Sequence, residues 1–275
     1  MQILAVLGCL FAPAAAAPPE APPADPAAHA ARLSALRAEA AAPGALPLEA
    51  GHLHQRLIRA VARDAPRRAA VLAALDPALA AQVRALADAT DQIARTVTKA
   101  RTALPAWTVA EAPGLDRLEA AWRAAEAESG VPWTVLAAVH LVETRFGRLR
   151  AVSTAGAMGP MQFIPETWAR FGQGDVHDLT DAVRAAGRHL AAHGAARDLR
   201  RALWHYNPSD AYVNAVVAFH EQIAADPTLL ELLWGWQVYI RTTHGLAWMP
   251  EGTALTAPAP AAAWCARPDA VCEPF

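Results

Sequence analysis

Apolar residues in this chain recur at alternating three- and four-residue intervals. Leu79, Val83, Leu86, Ile93 and Val97 form one such stripe, interrupted only at Thr90. This period is that of an α-helix with one buried face. "DP" at 76–77 opens it, with Asp76 where an N-cap belongs and proline in the first turn. "DAP" at 64–66 repeats the device, and Leu53, Leu57 and Val61 carry the same spacing upstream. The pattern predicts a helical segment over 51–103, read as a helical hairpin lying on a larger body. Further helices are predicted over 115–129, closed by Gly130 as a C-terminal cap, and over 133–146, 165–171, 179–193, 197–206 and 209–225. Only "WQVYIRTTHGLAWMPEG" at 236–252 differs. Its Val, Tyr, Ile and Thr content around "HG" predicts a small β-hairpin. The expected class is mainly α, with a minor β element near the C-terminus.

The 275 residues suffice for one large domain or two modest ones. Alanine supplies much of the 54% hydrophobic content, and alanine is a helix former rather than a membrane marker. The net charge is −2 and no basic stretch proposes nucleic-acid binding. "MQILAVLGCLFAPAAAA" has the layout of a secretory signal over 1–16, although it lacks a positive n-region. The rival is a lipoprotein signal acylated at Cys9, which Leu7 and the nearness of Cys9 to the start disfavour. A Pro/Ala-rich linker is expected over 17–50, with room for one Ala-rich helix over 29–42 around Leu33 and Leu36. His52 and His54 in "GHLH" are read as surface or capping histidines. Cys265 and Cys272 are an even pair in a Pro/Ala-rich tail that has little else to hold it. In an oxidising compartment they are expected to bond to each other; zinc would need more ligands than the tail offers.

The stretch most suggestive of chemistry is "VHLVETRFGRLRAVSTAGAMGPMQ", 139–162. On a helix over 133–146, Leu136, Val139, Glu143 and Phe146 fall on one stripe. Glu143 therefore points where core residues point, at the helix's C-terminal end. Desolvation and the negative end of the helix dipole both disfavour its charged form, which is what a general acid near neutrality requires. Periodicity alone leaves a second reading open, a carboxylate paired with Arg145 or Arg148 at a frayed helix end. The loop that follows favours the first. Ala155, Gly156, Ala157 and Gly159 allow close approach of backbone to a ligand, and Ser153, Thr154 and Gln162 offer groups for a polar one.

"VETRF" followed by "STAGAMGPMQ" resembles the signature of soluble-type lytic transglycosylases, lysozyme-like enzymes that cleave bacterial peptidoglycan. "HYNPSDAYV" further on resembles that family's Tyr-Asn segment and second tyrosine. The resemblance covers roughly 115–226 with its pieces in order. It departs from the common pattern in four places. Thr144 stands for serine, the interval from Glu143 to Ser153 is one residue longer, Pro160 stands for leucine, and Tyr212 follows Asn207 sooner.

The resemblance implies a lysozyme-like catalytic domain over 115–226, preceded by the helical segment and followed by a C-terminal extension, 227–275, with the hairpin and the disulfide. It implies that Glu143 protonates the bond between N-acetylmuramic acid and N-acetylglucosamine, then deprotonates the muramyl C6 hydroxyl to close a 1,6-anhydro ring. Ser153 and Gln162 would orient Glu143 or the N-acetyl group. Tyr206 and Tyr212 would bond the acid or stack near it, and Asn207 would bind sugar. Glycan strands are the implied partner of an exported monomer in the cell envelope, with no metal and no cofactor.

Asp175 or Asp178 could instead activate water and make a hydrolysing muramidase, but Asp178 reads more economically as a helix cap. A non-catalytic peptidoglycan-binding protein is the third alternative, although a binding module has no need of a buried acid. His189 and His193 have metal-ligand spacing but no intervening glutamate, and are read as solvent-facing. Trp234, Trp236 and Trp248 are read as packing the hairpin rather than stacking on sugar.

Overall fold

Three Asp-Pro or Asp-Ala-Pro starts set the N-terminal half. The computed structural model describes residues 20–97 and 99–274; the expected export signal over 1–16, with Cys9, lies outside the described residues. Helices α1 (Pro26–Ala41), α2 (Leu48–Arg63), α3 (Ala65–Ala74) and α4 (Pro77–Thr96) come first. Asp25, Asp64 and Asp76 cap α1, α3 and α4, accepting backbone N–H groups at 2.8, 3.0 and 2.9 Å, and a proline occupies the first turn of each. Helix α1 lies inside the stretch that composition marks as a linker. Leu33 and Leu36 are buried there, with α1 packed on α3 and on α11 (Leu229–Trp234). The surrounding prolines dilute a helical stripe that is nevertheless present.

His52 and His54 are not the surface residues that their sequence context predicts; both are buried. The His52 Nε2 meets the Tyr239 hydroxyl at 2.7 Å, and Trp236 Nε1 donates to His54 Nδ1 at 3.1 Å. They bind α2 to the C-terminal hairpin. Gly51, next to them, explains how: a Cβ there would overlap the Leu232 carbonyl oxygen and the Gly235 backbone. The bare backbone lets α2 and α11 touch.

After α4 come two short strands, β1 (Ala103–Leu104) and β2 (Thr108–Val109), then α5 (Leu115–Ser129), α6 (Trp133–Thr144) and β3 (Leu149–Arg150). Helices α7 (Pro165–Phe171), α8 (Leu179–Ala192), α9 (Leu199–Tyr206) and α10 (Asp210–Ala225) follow, before α11. Val135 through Val139 and Leu141 are fully buried, so α6 is covered on every side, as an all-apolar helix must be. Helix α10 packs on both α6 and α4, and α5 packs on α8. One continuous apolar core runs from α1 to α11. The N-terminal helices thus support α6 through α10.

The hairpin pairs β4 (Val238–Thr242) with β5 (Gly245–Met249) across a turn at Thr243 and His244. The tail is better held than its composition suggests. It supplies β6 (Ala259–Pro260), α12 (Ala261–Cys265) and β7 (Cys272–Glu273). β7 adds a third strand to β5, β6 pairs with β1, and β2 pairs with β3. Cys265 and Cys272 are disulfide-bonded. Trp264 is buried and donates to the Trp248 carbonyl at 3.1 Å, while Glu273 accepts from Arg56 at 2.7 Å. Two-residue strands leave no periodicity in a sequence, which is why these pairings are not legible there. Among the described residues, no helix is long and apolar enough to cross a membrane.

Candidate active site

Helix α6 ends two residues sooner than the stripe predicts. Arg145 and Phe146 both have positive φ (55° and 59°), and Gly147 follows at 83°. Left-handed backbone is strained for side-chain-bearing residues, so something must hold it. The Arg145 and Phe146 N–H groups return to the carbonyls of Leu141 (3.1 Å) and His140 (3.3 Å), closing the helix end. The Phe146 ring is fully buried against Trp122 and His140. Thr144 adds a tether: its hydroxyl donates to the Pro160 carbonyl at 2.7 Å and accepts from Gly147 N–H at 2.9 Å. The hydroxyl at this position thereby fixes the glycine-rich loop to the helix end just past Glu143.

Neither arginine takes Glu143. Arg148 is fully buried and pairs with Glu251 at 2.6 Å, and Arg145 donates to the Leu141 carbonyl at 2.5 Å. The acid is bound instead by Tyr212, whose hydroxyl donates to Glu143 Oε1 at 2.7 Å. Glu143 itself is half-buried. Its loss of water raises its pKa from 4.5 to about 7, against the opposing pull of the Tyr212 bond, which favours the carboxylate. Burial, and the nearby Glu143 charge, push the phenols of Tyr206 and Tyr212 well above their usual range; both remain neutral donors.

Tyr206 does not touch the acid. Its hydroxyl donates to the Met161 carbonyl at 2.7 Å, and its ring lies parallel to that of Tyr212, with centroids 6.5 Å apart. The tyrosine pair therefore links the loop to the acid: one phenol holds backbone, the other holds the carboxylate. Ser153 and Gln162 serve the loop. Ser153 Oγ accepts from the N–H groups of Ala155 (3.2 Å) and Ala157 (3.0 Å). Gln162 Nε2 donates to the carbonyls of Ala151 (3.2 Å) and Gly159 (3.0 Å). Among the described residues neither bonds Glu143. Gln162 itself sits in left-handed backbone, at φ 51°. Asn207 follows α9 as its C-cap, its N–H bonded to the Leu203 carbonyl at 3.0 Å, beside Tyr206.

The loop's glycines have a geometric reason. Gly159 has φ 73°, and a Cβ there would overlap the Val176 carbonyl oxygen. The segment carrying Asp175 and Asp178 is packed that closely beneath it. Both aspartates are occupied locally. Asp178 accepts from Thr180 N–H (2.8 Å) and Asp181 N–H (3.0 Å), capping α8, and Asp175 accepts from His177 N–H at 2.9 Å. A groove of about 720 Å³ borders this region, with Trp107, Arg117, Gly147, Arg150, Gly159 and Asp178 on its wall. Glu143 is not on that wall.

His189 is buried, contrary to its reading as solvent-facing. It packs on Phe171 (4.8 Å), His193 (4.5 Å) and Tyr206 (5.2 Å), and burial lowers its pKa to about 4. It is a neutral ring supporting Tyr206. No group of three or more His, Cys, Asp or Glu among the described residues could hold a metal. Trp236 and Trp248 are buried in the hairpin's packing, and Trp234 donates to the Pro113 carbonyl at 2.9 Å.

The residues that sequence reasoning missed are those acting through backbone: the Pro160 and Met161 carbonyls and the Arg145-Phe146 turn. "RFG" at 145–147, one residue past Thr144, is the one signal that could have marked that turn. Compared with known families, residues 120–218 match the model of the transglycosylase SLT domain. No curated protein and no solved structure matches the chain.

Proposed function

We propose, from the premise that this chain carries a lysozyme-like transglycosylase SLT domain over residues 120–218, that it cleaves the β-1,4 bond between N-acetylmuramic acid and N-acetylglucosamine with Glu143 as its single catalytic carboxylate. The family assigns peptidoglycan as the material acted on. The observation that carries the finer reading is the state of Glu143: half-buried, raised to about 7, and bonded among the described residues by Tyr212 alone.

Such a carboxyl holds a proton near neutrality and can release it to the glycosidic oxygen as the C1–O4 bond breaks. The N-acetylglucosamine leaves as the alcohol. The Tyr212 hydroxyl supports the carboxylate that remains. That carboxylate then takes the proton of the muramyl C6 hydroxyl while its oxygen bonds to C1, which closes the anhydro ring and returns Glu143 to its acid form. A second carboxylate is dispensable where the substrate's N-acetyl group stabilises the positive charge. The cap made by Asp178 and the local turn bond accepted by Asp175 support this economy. Ser153, Gln162 and Asn207 are proposed to meet sugar with the polar capacity that the loop leaves them. Action in the cell envelope, after export by the N-terminal segment, completes the reading.

Digestion of purified peptidoglycan in heavy-oxygen water tests it. Unlabelled 1,6-anhydro ends, lighter by one water than hydrolytic ends, are expected from the wild-type protein and none from Glu143→Gln. Asp178→Ala should cost about 1 kcal/mol through the lost cap and still give anhydro ends. Labelled reducing ends, with Asp178→Ala inactive, would move the assignment to a two-carboxylate muramidase.

A further inference from the structure

A second pocket, of about 320 Å³, lies outside the groove and is built largely by α2, α4 and the hairpin. Arg59, Arg63, Arg145 and Arg241 stand on its wall, beside the apolar surfaces of Phe219 and Trp236. The wall carboxylate among the described residues, Asp91, is taken by Arg95 at 2.6 Å. Behind the wall the Glu273 carboxylate accepts from Arg56 at 2.7 Å and Arg63 at 3.1 Å. Arg59 is left 3.7 Å away, and its buried Nη1 has no hydrogen-bond acceptor among the described residues. Its guanidinium is fixed in place 3.6 Å over the Tyr239 ring. Arg145 has no carboxylate partner among the described residues either; it reaches only the Leu141 carbonyl.

A buried guanidinium nitrogen without an acceptor, as on Arg59, is costly, and the planar fork of an arginine matches the two oxygens of a carboxylate, the anionic group that a peptide carries. The apolar wall would seat a short aliphatic stretch beside the charge. Arg145 lies two residues beyond Glu143, so a ligand held here is anchored on the turn that ends the catalytic helix. We propose that this pocket binds the carboxylates of the peptides attached to the glycan strand, so that the N-terminal helices, with the hairpin, select peptide-bearing substrate. The inference rests on the peptidoglycan reading above. It assigns a role to α2 and α4, which lie outside the family match.

Calorimetry with the tetrapeptide that an amidase releases from peptidoglycan tests this directly. Wild-type protein and Glu143→Gln should bind it alike. Arg145→Met and the peripheral Arg63→Met should each weaken binding about tenfold or more, as expected for losing a bond to a charged group. The same peptide with its carboxylates converted to amides should not bind, nor should inorganic phosphate compete at millimolar concentration. Circular dichroism checks that the variants fold. No binding to the wild type, unchanged binding by both arginine variants, or phosphate binding as tightly as the peptide would each overturn the proposal. Cleavage of amidase-stripped and peptide-bearing strands separates the two readings. Equal cleavage of both, without peptide binding, removes this pocket's role and leaves the glycan activity standing. Peptide binding by a wild-type protein that cleaves neither strand does the reverse.

Discussion

Glu143→Gln should abolish cleavage and, at neutral to alkaline pH, make the protein more stable. The folded protein holds the Glu143 pKa at about 7 against an ordinary 4.5, chiefly through loss of water around the carboxylate. Between these values the folded state binds more protons than the unfolded one, so stability falls as pH rises. The contribution of the neutral acid is fully present below pH 4.5 and is lost as pH passes through about 7. At ~1.36 kcal/mol per pH unit the full separation corresponds to about 3 kcal/mol, and the water that reaches a half-buried group reduces this to ~2 kcal/mol. Glutamine is nearly isosteric, does not titrate, and can still accept the Tyr212 bond through its oxygen. The two proteins should therefore unfold alike in urea at pH 4, while at pH 9 the variant should exceed the wild type by ~2 kcal/mol. Groups common to both cancel in the difference. A gap that stays flat from pH 4 to 9, or that favours the wild type at high pH, would refute the claim that burial raises this acid.

Wild-type cleavage should decline above about pH 7 as Glu143 loses its proton. Tyr212→Phe removes a bond that favours the carboxylate, so this decline should move to higher pH, which a pH–rate profile would show. Turnover should also fall, by roughly 10- to 100-fold for a lost bond to a charged group, because the carboxylate formed on proton transfer loses its donor. Gly159→Ala should destabilise the protein by more than about 1 kcal/mol, since its Cβ would overlap the Val176 carbonyl. Thermal unfolding with a parallel cleavage assay would reveal an alanine variant that is tolerated.

Local rules made much of this protein readable from its residues. Asp64 and Asp76 cap the helices they precede, Gly130 ends α5 at φ 71°, and the hairpin forms around "TTHG". Capping, left-handed glycine and β-branched content act over a few residues, so a sequence displays them. The stripe that carries Glu143 is local in the same way and puts a carboxylate at a core-facing position, but by itself it does not tell a proton donor from the partner of a nearby arginine. What depends on distant partners was not visible. His52, His54 and His189 have the spacing of exposed or metal-binding histidines, yet tertiary packing buries all three. Arg148 stands close to Glu143 in sequence, but Glu251, 103 residues away, claims it. The donor to the acid, Tyr212, arrives from a helix 69 residues on, and Tyr206 holds a loop carbonyl 45 residues back. Periodicity determines which side of an element is apolar; only the packed chain determines which polar group completes another's hydrogen bond, because that pairing is set by distance in space and by the exclusion of water.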